Sequence, residues 1–174
     1  MSEPRRVVVI GLGAITAQGP SAEALWEGVV GGNVAIRDVE GLSMDTYRTS
    51  LGGEVKDRVA PEREYRHPDD YREPVIDFAL KASEEALGDW ADKVDAERWG
   101  VVIGSCNAGL LAGEEWYRRR LAGQEAPSDL LLLVSPQAVA ETLASAFGFK
   151  GPVLSVNTAC AASAQRCASR SASA

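Results

Sequence analysis

The strongest constraint on the fold is a set of three short apolar runs, each closed by a glycine or a polar turn. Val7-Val8-Val9-Ile10 leads into Gly11-Leu12-Gly13, Val101-Val102-Ile103 into Gly104, and Val153 to Val156 into Asn157-Thr158. Runs without polar alternation belong to strands covered on both faces, as in a parallel sheet. Parallel neighbours need a crossover of about a dozen residues or more, normally a helix. Strands are therefore predicted at Arg5–Ile10, Trp99–Gly104 and Val153–Val156, with a further short strand at Leu51–Val55.

The intervals supply the helices. Ser21 is placed to cap a helix running to Val30, with Leu25, Trp26, Val29 and Val30 on one face and Gly31-Gly32 as the stop. Tyr71 to Leu87 is amphipathic, with Ile76, Ala79, Leu80, Ser83 and Leu87 sharing a face and Gly88 just beyond. A helix is expected at Glu114–Leu121. Another begins at Ser135-Pro136, carries Val139, Leu143, Ala146 and Phe147 inward, and ends at Gly148. Helices alternating with strands predict an α/β fold with helices on the faces of a sheet. A chain of 174 residues is enough for one ordinary domain.

Composition narrows the function classes. Apolar residues make up 45% and charged residues 25%, as in a globular protein. The formal net charge of −7 speaks against a nucleic-acid partner, which would require a basic face. The longest apolar run, Leu130–Val134, is far short of the roughly 18 residues of a membrane span, so no membrane association is expected. Three cysteines, Cys106, Cys160 and Cys167, lack a framework spacing, and no N-terminal leader is visible. A reduced, cytoplasmic protein is the expectation.

Cys160 is the chemical focus. A strand, a sharp polar turn and then Cys160-Ala161-Ala162-Ser163 is a way to present a thiol at the start of a helix. A helix N-terminus favours an anion by about 0.3–1 kcal/mol, and up to ~2 kcal/mol when partly buried. That stabilises a thiolate, the reactive form of cysteine. The Cys160 backbone N–H could also serve as an oxyanion donor. Spacing alone leaves a buried structural cysteine equally open.

The string from Ser155 through Val156, Asn157, Thr158, Ala159 and Cys160 to Ser163 resembles the active-site segment of the β-ketoacyl-[acyl-carrier-protein] synthases, type II enzymes of the condensing-enzyme/thiolase superfamily. Three other stretches agree in order. Val7–Thr16 followed by Ala24-Leu25-Trp26 resembles the family's first strand and helix, Trp99–Ser105 its central strand and glycine-rich turn, and Ser135-Pro136 the segment before the nucleophile. The resemblance spans Arg5 to Ala164, an incomplete N-terminal synthase domain. It implies a thiolase-like fold of two similar α/β halves, of which this sequence matches the first, ending after the nucleophile.

The resemblance also implies acyl transfer, in fatty-acid or polyketide synthesis. Cys160 would be the catalytic nucleophile, accepting an acyl chain from the phosphopantetheine thioester of acyl carrier protein and passing it to decarboxylated malonyl-acyl carrier protein. Acyl carrier protein and a second copy of the chain, in a homodimer, are the implied partners. No cofactor or metal is implied beyond the carrier's phosphopantetheine. The glycine-rich turn Gly104–Gly109 would line the substrate, with Asn107 and Ala108 as substrate-binding residues, and Asn107 departs from a position that is often aliphatic.

The same resemblance requires two histidines, or a histidine and an asparagine, from the C-terminal half. The single histidine, His67, lies in a polar loop and matches neither. Condensation by these residues alone is therefore not expected. The alternative is a non-catalytic fragment or pseudogene product, at most an interaction partner of an intact synthase. Residues 165–174 form a serine- and alanine-rich tail without a large aliphatic side chain, unlike the family's apolar helix. A one-base frameshift near Ala164, or a gene boundary misplaced there, is the expectation, and resequencing the locus tests it.

Other motifs are weaker. A dinucleotide fingerprint starting at Gly11 would need a third glycine where Thr16 stands. No C-x-x-C pair accompanies the lone histidine, so a zinc site is not expected. Glu114-Glu115 with Arg118-Arg119-Arg120 read as helix surface pairs.

Overall fold

The computed structural model describes residues 7–56, 60–68, 71–93 and 95–163. Its helices are α1 (Ala22–Val30), α2 (Pro74–Leu87), α3 (Leu110–Leu121), α4 (Asp129–Leu132) and α5 (Pro136–Phe147). Its strands are β1 (Arg37–Asp38), β2 (Leu51–Gly52), β3 (Val101–Gly104) and β4 (Val153–Val156). β3 and β4 pair in parallel with Val101 opposite Val153 and Gly104 opposite Val156, and α3, α4 and α5 form the crossover between them. β1 and β2 form a short antiparallel ribbon.

α5 lies on the β3–β4 pair and α2 packs against α5. The core between them holds Ile76 and Leu80 of α2, Val139, Ala140, Leu143, Ala144 and Phe147 of α5, and Val101 of β3. The ends of α5 are local chemistry. Ser135 Oγ accepts from the Gln137 N–H at 3.3 Å, Pro136 fills the first turn, and Gly148 closes the helix at φ +69°. α2 starts at Pro74, three residues after the expected Tyr71. Proline forces its predecessor into extended backbone, and Glu73 indeed sits at φ −79°, ψ 115°. α3 starts four residues earlier than expected, because Gly109 at φ +75° turns the chain into it ahead of the charged stretch.

Two sequence expectations are corrected. Val7–Ile10 is not a strand buried on both faces. The four side chains are 55–79% exposed and no ladder pairs them among the described residues, while Arg5 and Arg6 lie outside those residues. Burial of such a run depends on neighbouring strands, which sequence periodicity cannot guarantee. The adjoining Gly11 and Gly13 instead lie directly on the Ala86 and Ala82 carbonyls of α2, where any Cβ would collide with backbone. Likewise α1 forms where expected, with Ser21 Oγ accepting from the Ala24 N–H at 3.1 Å, but Trp26, Val29 and Val30 face outward. Glu85 of α2 fastens this region by accepting from the Ala14 and Ala22 N–H groups, both at 2.9 Å.

Candidate active site

β4 ends at Val156, and Cys160 follows within one turn of 3₁₀ helix, Ala159–Ala161. The Ala161 N–H closes the turn on the Thr158 carbonyl at 3.1 Å. Ala159 has φ +48°, making it the one non-glycine residue in the left-handed region among the described residues. An L-residue there carries about 1–2 kcal/mol of strain. The chain can thus reverse sharply out of the strand and leave the next side chain projecting. The Cys160 thiol is free and exposed. The backbone turns helical at Ala162–Ser163. The expected tail, and Cys167 within it, lie outside the described residues.

Gly104 fixes this turn against the sheet. A Cβ on Gly104 would stand 2.8 Å from the Ala162 carbonyl carbon, 2.9 Å from its oxygen and 3.1 Å from the Ser163 nitrogen. Only a residue without a side chain lets the segment after Cys160 cross the end of β3 so closely. Ala162 is fully packed beneath it. One step further, the Ser105 N–H extends the ladder to the Val156 carbonyl at 3.2 Å. The loop from Ser105 to Asn107 therefore leaves the sheet at the same end as Cys160.

Of the substrate-binding residues expected in that loop, Asn107 is exposed and Ala108 is buried in the core cluster. Cys106, to which the sequence assigned no role, is exposed between Ser105 and Asn107. His67 is half-buried and packs edge-on against Tyr65, ring centroids 5.7 Å apart, rather than standing in solvent.

Glu73 went unnoticed in the sequence. It is the one charged side chain buried among the described residues, at 2% exposure. Its Oε2 accepts from the Tyr71 hydroxyl at 3.0 Å and from the Ala112 N–H in the first turn of α3 at 2.9 Å. Burial pushes its carboxyl above the usual range, and those two donors oppose the shift. The helix expected from Tyr71 places Glu73 in its first turn with no sign of burial, because the covering element and the Ala112 N–H belong to α3. On the outer face of α3, Arg118 and Arg119 donate to Glu115 at 2.6–2.8 Å and hold its carboxyl down to about 2.

The arrangement defines an α/β protein that presents a cysteine on a strained turn at the C-terminal end of a parallel strand pair. The sequence matches the family described as "Beta-ketoacyl synthase, N-terminal domain" over residues 4–172, and the chain belongs to that family. It is 30% identical over 167 residues to a 3-oxoacyl-[acyl-carrier-protein] synthase 2 of Synechocystis sp., covering 92% of this chain and 40% of that protein. A solved structure of a type II polyketide acyl carrier protein in complex with its ketosynthase bound to the hexaketide matches with a TM-score of 0.70. That likeness has 25% identity and covers 92% of this chain and 40% of the other. The ishigamide ketosynthase/chain length factor shares the fold, at a TM-score of 0.73 and 19% identity over 89% of this chain and 40% of the other. The fold is thus thiolase-like, corresponding to an N-terminal half, and the chain spans about 40% of the length of these relatives.

Proposed function

We propose that Cys160 is an acyl-accepting nucleophile, the first half-reaction of a β-ketoacyl synthase of fatty-acid or polyketide synthesis. The observation that carries this is the exposed thiol held after the strained Ala159 at the end of β4, in a chain of this family. The thiolate attacks the carbonyl of an acyl thioester on the phosphopantetheine of acyl carrier protein. The bond from acyl carbon to Cys160 sulfur forms, the bond to the pantetheine sulfur breaks, and the released thiolate takes up a proton. The Cys160 N–H makes no hydrogen bond within the described residues, which suits a donor for the oxyanion of the tetrahedral intermediate.

In the condensation proper, loss of CO₂ from a malonyl carrier gives a carbanion that attacks the acyl carbonyl. A carbon–carbon bond forms and Cys160 leaves as thiolate. The charge relief for that step is assigned to histidines, and the one histidine here packs on Tyr65. For the described residues, acyl acceptance alone is accordingly proposed. Acyl carrier protein is the proposed partner, since one structural relative is recorded as a carrier protein with its ketosynthase. A homodimer is proposed from the family resemblance.

A second reading, an interaction partner of another synthase subunit, is favoured by the uncovered apolar side chains of Val7–Ile10, Trp26, Val29 and Val30. Incubation with an acyl-phosphopantetheine thioester, and separately with the cysteine-directed inhibitor cerulenin, tests the first. An adduct on the Cys160 peptide alone is expected. Equal labelling of Cys106, Cys160 and Cys167, or none, would overturn it in favour of the second.

A further inference from the structure

The Ser105–Asn107 loop, which leaves the strand pair at the same end as Cys160, is strung between two fixed points. At one end Gly104 is wedged against Ala162 and Ser163, and Ser105 is bonded to Val156. At the other end Ala108 is buried, and Gly109 lies against the Leu133 carbonyl and Val134, where no side chain would fit. The next anchor is the first turn of α3. There the Ala112 N–H is shared between the Gly109 carbonyl at 3.1 Å and the Glu73 carboxylate at 2.9 Å. Glu73 belongs to a different element, the start of α2, so its carboxylate is a tie across the fold.

Burying a carboxylate is costly unless donors and a favourable field surround it. Here a helix N-terminus, the Ala112 N–H and the Tyr71 hydroxyl do so. Simple packing between α2 and α3 would be served as well by an apolar side chain of that size. What an apolar side chain cannot do is fix α3 in rotation and along its axis through a directed bond.

We propose that Glu73 is a positioning residue: by holding the first turn of α3 through Ala112, it sets where the Ser105–Asn107 loop stands at the Cys160 end of the strand pair, and so which acyl lengths the thiol accepts. This rests on Cys160 being the acyl acceptor. Glu73 does not touch the acyl group. It acts through Ala112, Gly109 and the loop.

The test uses the full chain as wild type, Glu73→Gln and Glu73→Ala. Three readouts are taken: deuterium exchange at the Ala112 amide, iodoacetamide alkylation of Cys106, and transfer to Cys160 from acetyl- through dodecanoyl-phosphopantetheine. Losing one hydrogen bond of ordinary strength corresponds to about five-fold in a local opening equilibrium. Glu73→Ala is thus expected to speed Ala112 exchange by about five-fold, to change the rate of Cys106 alkylation as the loop around that exposed thiol shifts, and to shift the ratio of dodecanoyl to acetyl transfer. Glu73→Gln is expected to restore all three, because its carbonyl oxygen, in the place of Oε2, can accept from both the Ala112 N–H and the Tyr71 hydroxyl.

If Ala112 exchanges faster but Cys106 alkylation and the acyl ratio stay at wild-type values, Glu73 is merely structural and the proposal falls. If Cys106 responds as expected while wild-type Cys160 takes no acyl group, the loop tie stands and the acyl-acceptor reading falls. Should Glu73→Ala lose its cooperative melt, Tyr71→Phe removes one donor more gently. It must move Cys106 alkylation in the same direction, and an unchanged rate overturns the proposal.

Discussion

Replacing Gly104 with alanine puts one methyl group where the turn carrying Cys160 crosses the sheet. The new Cβ would meet the carbonyl carbon of Ala162 at 2.8 Å, its oxygen at 2.9 Å and the Ser163 nitrogen at 3.1 Å. Carbon atoms at rest lie about 3.5–4.0 Å apart, so the methyl intrudes by roughly 0.7–1.2 Å. The atoms in its path are backbone, and no rotamer change can clear them. Overpacking of this kind costs about 1–3 kcal/mol. At roughly 2–4 °C per kcal/mol for a chain of this size, Gly104→Ala should lower the melting temperature by about 2–12 °C. Relief comes from moving Ala162 and Ser163 off β3, which drags Cys160 with them, so alkylation of Cys160 should change rate while Cys106 changes less. Gly53→Ala is the control, since its Cβ meets only the Ala17 methyl at an ordinary 3.6 Å. It should melt within about 1 kcal/mol of wild type. If Gly104→Ala melts with the control and leaves Cys160 alkylation unchanged, the turn is not held as argued.

Glu115→Gln removes the negative charge that Arg118 and Arg119 share on α3. The folded-state carboxyl is held down to about 2, against about 4.3 in an unfolded chain. Its stabilisation is therefore complete above about pH 4.3 and is lost as pH falls toward 2. Thermal melts should show wild type slightly above the variant at pH 7 and equal to it near pH 2. High salt should narrow the gap, because Arg118 is solvent-exposed; a gap that widens in acid would contradict the assignment. For the uncovered apolar surface, the double variant Trp26→Lys with Val30→Lys should raise the concentration at which the chain stays monodisperse in light scattering, with little change in melting temperature, since both side chains face outward. A large loss of stability would mean that this face of α1 is packed.

The parts of the fold that were legible are those whose causes are local. Ser135-Pro136 and Gly148 bracket α5, and Ser21 caps α1, because capping needs only the residues themselves. The β3–β4 pair was legible because two apolar runs separated by helices have few alternatives to a parallel crossover. Val7–Ile10 carries the same apolar signal and yet pairs with nothing among the described residues, because a strand is stabilised by neighbours that its own sequence does not contain. Glu73 failed for the same reason. Its place within the expected Tyr71–Leu87 helix carries no sign of burial, which depends on contact with a residue 39 positions away.

The candidate site divides along the same line. Asn157-Thr158 before Cys160 announced a turn, and the small residues after it announced close packing, so the position of the thiol could be read. The means of presenting it could not. A left-handed turn residue is normally flagged by glycine or asparagine, and here it is Ala159, which carries no such signal. Glycine would relieve that strain at the cost of freedom in the unfolded chain, and it would also loosen the backbone immediately before the thiol. An alanine forced to φ +48° confines the turn to fewer geometries, and Gly104 supplies the space that lets the confined turn lie against the sheet. The side chain present at Ala159 and the one absent at Gly104 are thus complementary: the first fixes the direction in which Cys160 leaves the strand, and the second fixes how closely the backbone after it can pack.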